Sequence, residues 1–208
     1  EGRLGGSYGH IALLQAAVDA AGEGEEQLVY VYDTHVNGHL LSDNSKDSLR
    51  SLREDPSIPK VLHCCYGDVS SLFFEYGIYV RNIMDTGLAD CILTRLEINK
   101  ARGLAVVLRE WLGEVGLTHK GKITFEENIF IRRPIHPHLF VYAYEDVVFC
   151  GALCFRLVDA LKMEGVYELA CELSQQRCPP FHLPATHGLH QPPSTAVVCL
   201  TDPRVGEA

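Results

Sequence analysis

The chain has 208 residues, a formal net charge of -9, 47% hydrophobic residues and 22% charged ones. That length is long for one domain and short for two, and the balance is that of an ordinary globular protein with a real core. No apolar run approaches the roughly 18 residues of a membrane span, no basic-then-apolar leader opens the chain, and the acidic balance argues against binding nucleic acid through a broad basic surface.

In chain order, residues 10–18 are apolar around a central Gln15 and read as a strand. The run LVYVYDT, 28–34, is rich in β-branched and aromatic residues and reads as its hairpin partner, with AAGEGEEQ as the loop between them. A short helix is expected over 45–54, ended by Pro56, and a short buried strand over 60–64. Then come a helix over 68–76 stopped by Gly77, a strand over 79–84, a helix over 86–96 and another over 103–112 stopped at Gly113. After a polar connection, one long apolar helix is expected over 138–163, and another starts near Glu164. The alternation predicts an α/β fold, a mixed sheet flanked by helices, with no internal repeat.

The tail reads differently. Residues 178–194 hold five Pro and three His with no helical period, which predicts a linker or docking arm. TAVVCLTD, 195–202, then reads as a strand in need of a partner edge. Two units follow: 1–163 as the main domain, and 164–208 as a C-terminal helix with a Pro- and His-rich tail. Many of the eight Cys sit in apolar stretches, which fits reduced, buried thiols and an intracellular location.

The pentad YAYED, 142–146, carries the most chemistry. Tyr142 and Asp146 stand four residues apart, so on a helix they share a face. A carboxylate can ligate a divalent metal, and a neighbouring phenol can orient a water for attack. Upstream, Lys60, Val61 and His63 lead into Asp68, and Asn82, Asp85 and Thr86 follow. Further on stand Leu112 with Gly113, Lys120, Arg133 with Pro134, Tyr142 with Ala143, and Asp146 with Val147.

In this order and spacing the chain resembles the DEDD family of 3′-5′ exonucleases, in the RNase D-like branch with a tyrosine in its third motif. The resemblance covers roughly residues 1–162 and implies an RNase H-like mixed sheet flanked by helices. It departs in the first motif, where the family carries Asp-x-Glu at the end of its opening strand. Leu13, Leu14 and Gln15 match the family's next strand. Glu1 then falls where the Glu belongs, and the Asp and the opening strand would precede it: they are expected upstream of this sequence, or else the first motif is degraded.

The resemblance implies hydrolysis of RNA phosphodiesters from a single-stranded 3′ end by a two-metal mechanism. Its ions would be two Mg²⁺ or Mn²⁺, which favour hard oxygen ligands. Glu1, Asp68 and Asp146 would be the metal ligands, and Tyr142 would orient the water. The competing reading is a nuclease-like module without catalysis, serving as an RNA- or protein-binding scaffold with a protein partner held through the tail. Each residue also has a plain structural reading: Asp68 as a helix N-terminal acid, Tyr142 as a core aromatic and Asp146 as a surface acid. Asp85 is expected to cap the helix from Thr86, and His63 to support the Asp68 helix by a hydrogen bond. Cys171, Cys178 and His182, with His187 and His190 beyond, offer ligand types for a structural zinc but lack a tight C-x2-4-C knuckle.

Overall fold

The computed structural model describes residues 11–18, 27–46, 48–113, 130–177 and 198–200. Strands β1 (Leu13–Val18) and β2 (Leu28–Asp33) form the expected hairpin, antiparallel with Leu13 opposite Asp33 and Val18 opposite Leu28. Two short helices follow, α1 (His39–Ser42), which the sequence reading missed, and α2 (Leu49–Glu54). Helix α2 starts later than expected because the Ser48 hydroxyl caps it by accepting from Ser51 N. Strand β3 (Lys60–Leu62) leads into α3 (Tyr66–Tyr76), which stops at Gly77 in the left-handed conformation, φ 63°.

Strand β4 (Ile83–Asp85) is shorter and later than the expected 79–84. Asn82 sits at φ 56°, which breaks the extended chain just before the ladder begins. Helix α4 (Thr86–Thr94), a 3-10 turn (Ile98–Lys100) and α5 (Leu104–Leu112) come next, and Gly113 ends α5 as read. The long helix expected over 138–163 is two helices, α6 (Pro137–Glu145) and α7 (Cys150–Met163). The ladder tightens between them: Val147 N bonds back to Tyr144 O and Cys150 N to Val147 O, three residues each, instead of four. Helix α8 (Tyr167–Gln176) completes the helical set.

Among the described residues, one sheet has the order β2-β1-β5-β3-β4, where β5 is Val198–Leu200. The tail strand therefore finds two edges. It runs antiparallel to β1, Val198 opposite Val18, and parallel to β3, with Val61 opposite Cys199 and Leu62 opposite Leu200. Strands β3 and β4 are parallel, with α3 as the crossover. The middle position of the sheet is thus filled by a strand from the tail.

Alternation along the strands sends side chains to two helical layers. Val61 and Met84 join a core built from Ala89, Leu104, Leu108, Leu153 and Leu157, contributed by α4, α5 and α7. Leu62 and Ile83 join the opposite core with Leu41, Val69 and Leu72, from α1 and α3. Truncating a fully buried leucine such as Leu157 to alanine would cost about 2–5 kcal/mol. On the first layer, buried Asp90 of α4 accepts from Arg102 Nε at 2.9 Å and from Trp111 Nε1 at 2.9 Å, locking α4 to α5. No helix among the described residues is long and apolar enough to cross a membrane.

Candidate active site

The first candidate acid sits where a parallel strand turns into a helix. β3 ends at Leu62, residues 63–65 make the turn, and Asp68 lies in the first turn of α3, 6% exposed. Helix N-termini favour carboxylates, so the position suits an acid whether or not it binds a metal. The turn is unusual because Cys64 takes φ 56°, a conformation that side chains other than glycine adopt rarely. The Cys65 side chain supplies no cap to α3.

Asp85 holds that turn. Its Oδ1 accepts from Cys64 N at 2.9 Å, Gly87 N at 3.0 Å and Leu88 N at 3.2 Å, while Oδ2 accepts from Cys65 N at 3.1 Å. The expected cap of α4 is therefore present, and the same carboxylate also serves the β3–α3 turn. Burial pushes the Asp85 carboxyl up, but Arg177, the His63 ring and the N–H donors outweigh it, and the net lies below the usual carboxylate range. The His63 ring reaches toward α4 and the loop before α5. Its Nδ1 meets Thr86 Oγ1 at 3.0 Å and its Nε2 meets Arg102 O at 2.8 Å, so both ring nitrogens serve α4 and the loop before α5.

The second group lies on α6. His136 caps this helix, its side chain accepting from His138 N, and Pro137 takes the first turn, where a missing N–H costs nothing. Leu139, Tyr142, Ala143 and Asp146 are buried, whereas Phe140, Val141 and Tyr144 are exposed. Tyr142 and Asp146 therefore share the inward face, as the pentad predicts, at 4% and 2% exposure. Asp146 N donates to Tyr142 O at 3.0 Å, so Asp146 still follows the helical path at the point where α6 gives way to the turn. Asp146 is not a surface acid, and Glu145 beside it is buried too. The Phe130 ring lies 6.4 Å from the Tyr142 ring, tilted by 57°.

Buried carboxylates are costly unless paired, hydrogen-bonded or coordinated to a metal, and hard oxygen donors suit Mg²⁺ or Mn²⁺. Asp68 and Asp146 fit that donor chemistry. Among the described residues no group of three or more His, Cys, Asp and Glu side chains forms a metal cluster. Glu1, the third expected ligand, lies outside the described residues, as does Lys120 of the resemblance. Of the zinc candidates only Cys171 is described, a buried free thiol on α8; Cys178, His182, His187 and His190 lie outside. Burial pushes the Cys171 thiol above its ordinary range, which disfavours the thiolate that zinc requires.

Sequence reasoning missed two arginines' partners. Arg133 pairs with Asp33 and Arg177 with Asp85, across separations of 100 and 92 residues, and no local pattern announces either pair.

A mixed sheet between two helical layers, with an acid opening α3 and a Tyr–Asp pair closing α6, defines a nuclease-type fold. The family model of the 3′-5′ exonuclease domain matches residues 8–162, and the chain belongs to that family. A curated relative, the piRNA biogenesis protein EXD1 of Xenopus laevis, is 30% identical over 146 residues. That match takes in 64% of this chain but only 32% of the relative. Among solved structures, Brucella melitensis NrnC with bound Mg²⁺ shares the fold at TM-score 0.57 and 16% identity, over 82% of this chain and 83% of that one. The same protein bound to pGG matches at TM-score 0.52 and 22% identity, over 65% and 62%.

Proposed function

We propose that the chain is the catalytic domain of a 3′-5′ exoribonuclease that hydrolyses single-stranded RNA from its 3′ end. One observation carries the reading: in a chain of this family, Tyr142 and Asp146 are both buried on one face at the end of α6, and Asp68 is buried in the first turn of α3. Asp68 and Asp146 would hold two Mg²⁺ or Mn²⁺ ions, with Glu1 as a further ligand. When bound, such ions supply Lewis-acid stabilisation of the phosphodiester and a water activated near neutral pH. Tyr142 would hold that water by its hydroxyl, oriented toward the terminal phosphorus. Burial of Asp146 keeps bulk water from competing for its carboxylate.

RNA as the substrate is supported by the relative named for piRNA biogenesis and by the pGG complex of the structural neighbour. The thiols Cys64, Cys65, Cys91, Cys150, Cys154 and Cys171 are all free, which supports a reducing, intracellular compartment.

The test is 3′ trimming of a labelled single-stranded RNA with Mg²⁺, with EDTA, and by Asp146→Asn. Asp146→Asn keeps the shape and removes a ligand charge, and trimming should fall about a hundredfold or more. Equal trimming by the variant, or in excess EDTA, would overturn the assignment. Metal-independent RNA binding without cleavage, or a protein partner lost on deleting residues 178–208, would favour the scaffold reading instead.

A further inference from the structure

Helix α8 is bolted to the end of β4 by three side chains close together in sequence. Ser174 Oγ accepts from Asp85 N at 3.1 Å and Gln175 Oε1 accepts from Asn82 N at 3.0 Å. Arg177 donates through one terminal nitrogen to Asp85 Oδ2 at 2.6 Å and through the other to Ile98 O at 3.4 Å. Asp85 is fully buried, yet it accepts four backbone N–H groups, two of which belong to the turn that launches Asp68. Burial disfavours the charged carboxylate, and its N–H donors together with a nearby positive charge hold it ionised. Arg177 supplies that charge.

We propose that Arg177, acting through Asp85, is a positioning residue for Asp68, so that the last described helix sets the geometry of the metal site. The turn is tight enough to transmit a displacement. Cys64 is held at positive φ, and a Cβ on Gly87 would come within 2.6 Å of Cys64 Sγ, so the start of α4 packs directly against the turn. Without the Arg177 charge, burial of Asp85 is offset only by the weaker His63 and N–H contacts, and the carboxylate shifts or protonates. Cys64 N and Cys65 N then lose their acceptor, the strained Cys64 relaxes, and the first turn of α3 rotates with Asp68 on it. A shift of about 1 Å at a catalytic group can cost about a hundredfold.

The inference rests on Asp68 being a metal ligand, and its test separates the two claims. Arg177→Met would be compared with Arg177→Lys and with Arg102→Met, which removes the buried Asp90 ion pair on the same helix α4. Two readouts are taken on the full chain: amide hydrogen exchange at Cys64 and Cys65 relative to α7, and Mn²⁺ affinity from free-ion spin resonance. Arg177→Met should speed exchange at the turn at least about tenfold and weaken Mn²⁺ about tenfold. Arg177→Lys should restore most of both, and Arg102→Met should lose stability while moving neither. Unchanged exchange at the turn, or equal effects from Arg102→Met, overturns the positioning role. Mn²⁺ binding that survives Asp146→Asn sinks the catalytic reading instead, and the exchange result still decides what Arg177 does to the turn. Should Arg177→Met not fold, Arg177→Gln carries the same comparison, because it removes the charge while keeping a polar side chain beside Asp85. Turn exchange identical to wild type in that glutamine variant would then overturn the proposal.

Discussion

Arg133 grips Asp33 with two prongs: its Nε donates to Oδ2 at 2.6 Å and a terminal nitrogen donates to Oδ1. Asp33 is the last residue of β2, and Arg133 stands in the segment that leads into α6. The other terminal nitrogen donates to Phe130 O at 2.8 Å, so one guanidinium ties that segment to itself and to the sheet. Hydrogen bonding to Arg133 is the main reason the Asp33 carboxyl lies below its ordinary range. Phe130 in turn leans toward Tyr142 on α6.

Arg133→Ala should therefore reduce RNA trimming more than it reduces stability. Both side chains are partly exposed, so the stability loss should be about 1 kcal/mol. Trimming should fall about tenfold. Arg133→Lys should not rescue it, because an ammonium cannot reproduce the planar two-pronged contact. A lysine variant equal to wild type in denaturant titration and in turnover would mean that charge alone suffices.

Tyr142→Phe isolates the hydroxyl. The ring stays packed, and losing one hydrogen bond costs about 1 kcal/mol, so the melting curve should move little. Turnover should fall about ten- to a hundredfold while RNA affinity holds. Unchanged turnover would return Tyr142 to the role of a core aromatic.

Lys60, the first residue of β3, is fully buried, and its Nζ donates to Asp55 O. Burial pulls its pKa down to about 8; Asp55 opposes this, and Arg53 and Arg81 add to it. Below pH 8 folded and unfolded chains both carry the proton, and the penalty for a buried cation is fully present. Between pH 8 and an unfolded value of about 10.4, the unfolded chain binds more protons, so stability rises with pH. Lys60→Met should thus be more stable than wild type at pH 7, by about 1–3 kcal/mol, and the gain should shrink toward pH 10. A gain that is flat in pH, or absent, would show that the Asp55 carbonyl and its surroundings compensate the charge.

Asp85 gives the opposite limb. Its folded pKa lies below the unfolded value of about 3.9, so its contribution is fully present above that value and is lost as pH falls through the folded pKa. Asp85→Asn should cost about 2–4 kcal/mol at pH 7, since it breaks a buried charge pair and loses acceptors for backbone N–H groups. The variant should also unfold with a shallower acid dependence than wild type. An unchanged acid limb in urea titrations from pH 7 to pH 3 would refute the assignment.

Local chemistry made much of this protein legible in its sequence. Residues 28–34 are β-branched and aromatic, Gly77 and Gly113 stop helices because they tolerate backbone angles other residues avoid, and Asp85 stands where a helix needs an acceptor. The i,i+4 spacing of Tyr142 and Asp146 puts them on one helix face without any tertiary contact. What the tertiary structure alone decided are relationships between distant segments. Apolar continuity from 138 to 163 could not reveal the break after Glu145, where the backbone bonds shorten from four residues to three. Nor could periodicity place Val198–Leu200 between β1 and β3, because a strand's pattern says which face is buried but not which edges it joins. The pairings of Arg177 with Asp85 and Arg133 with Asp33 are of the same kind: each charge is ordinary in its own segment, and only folding brings its partner within hydrogen-bond reach.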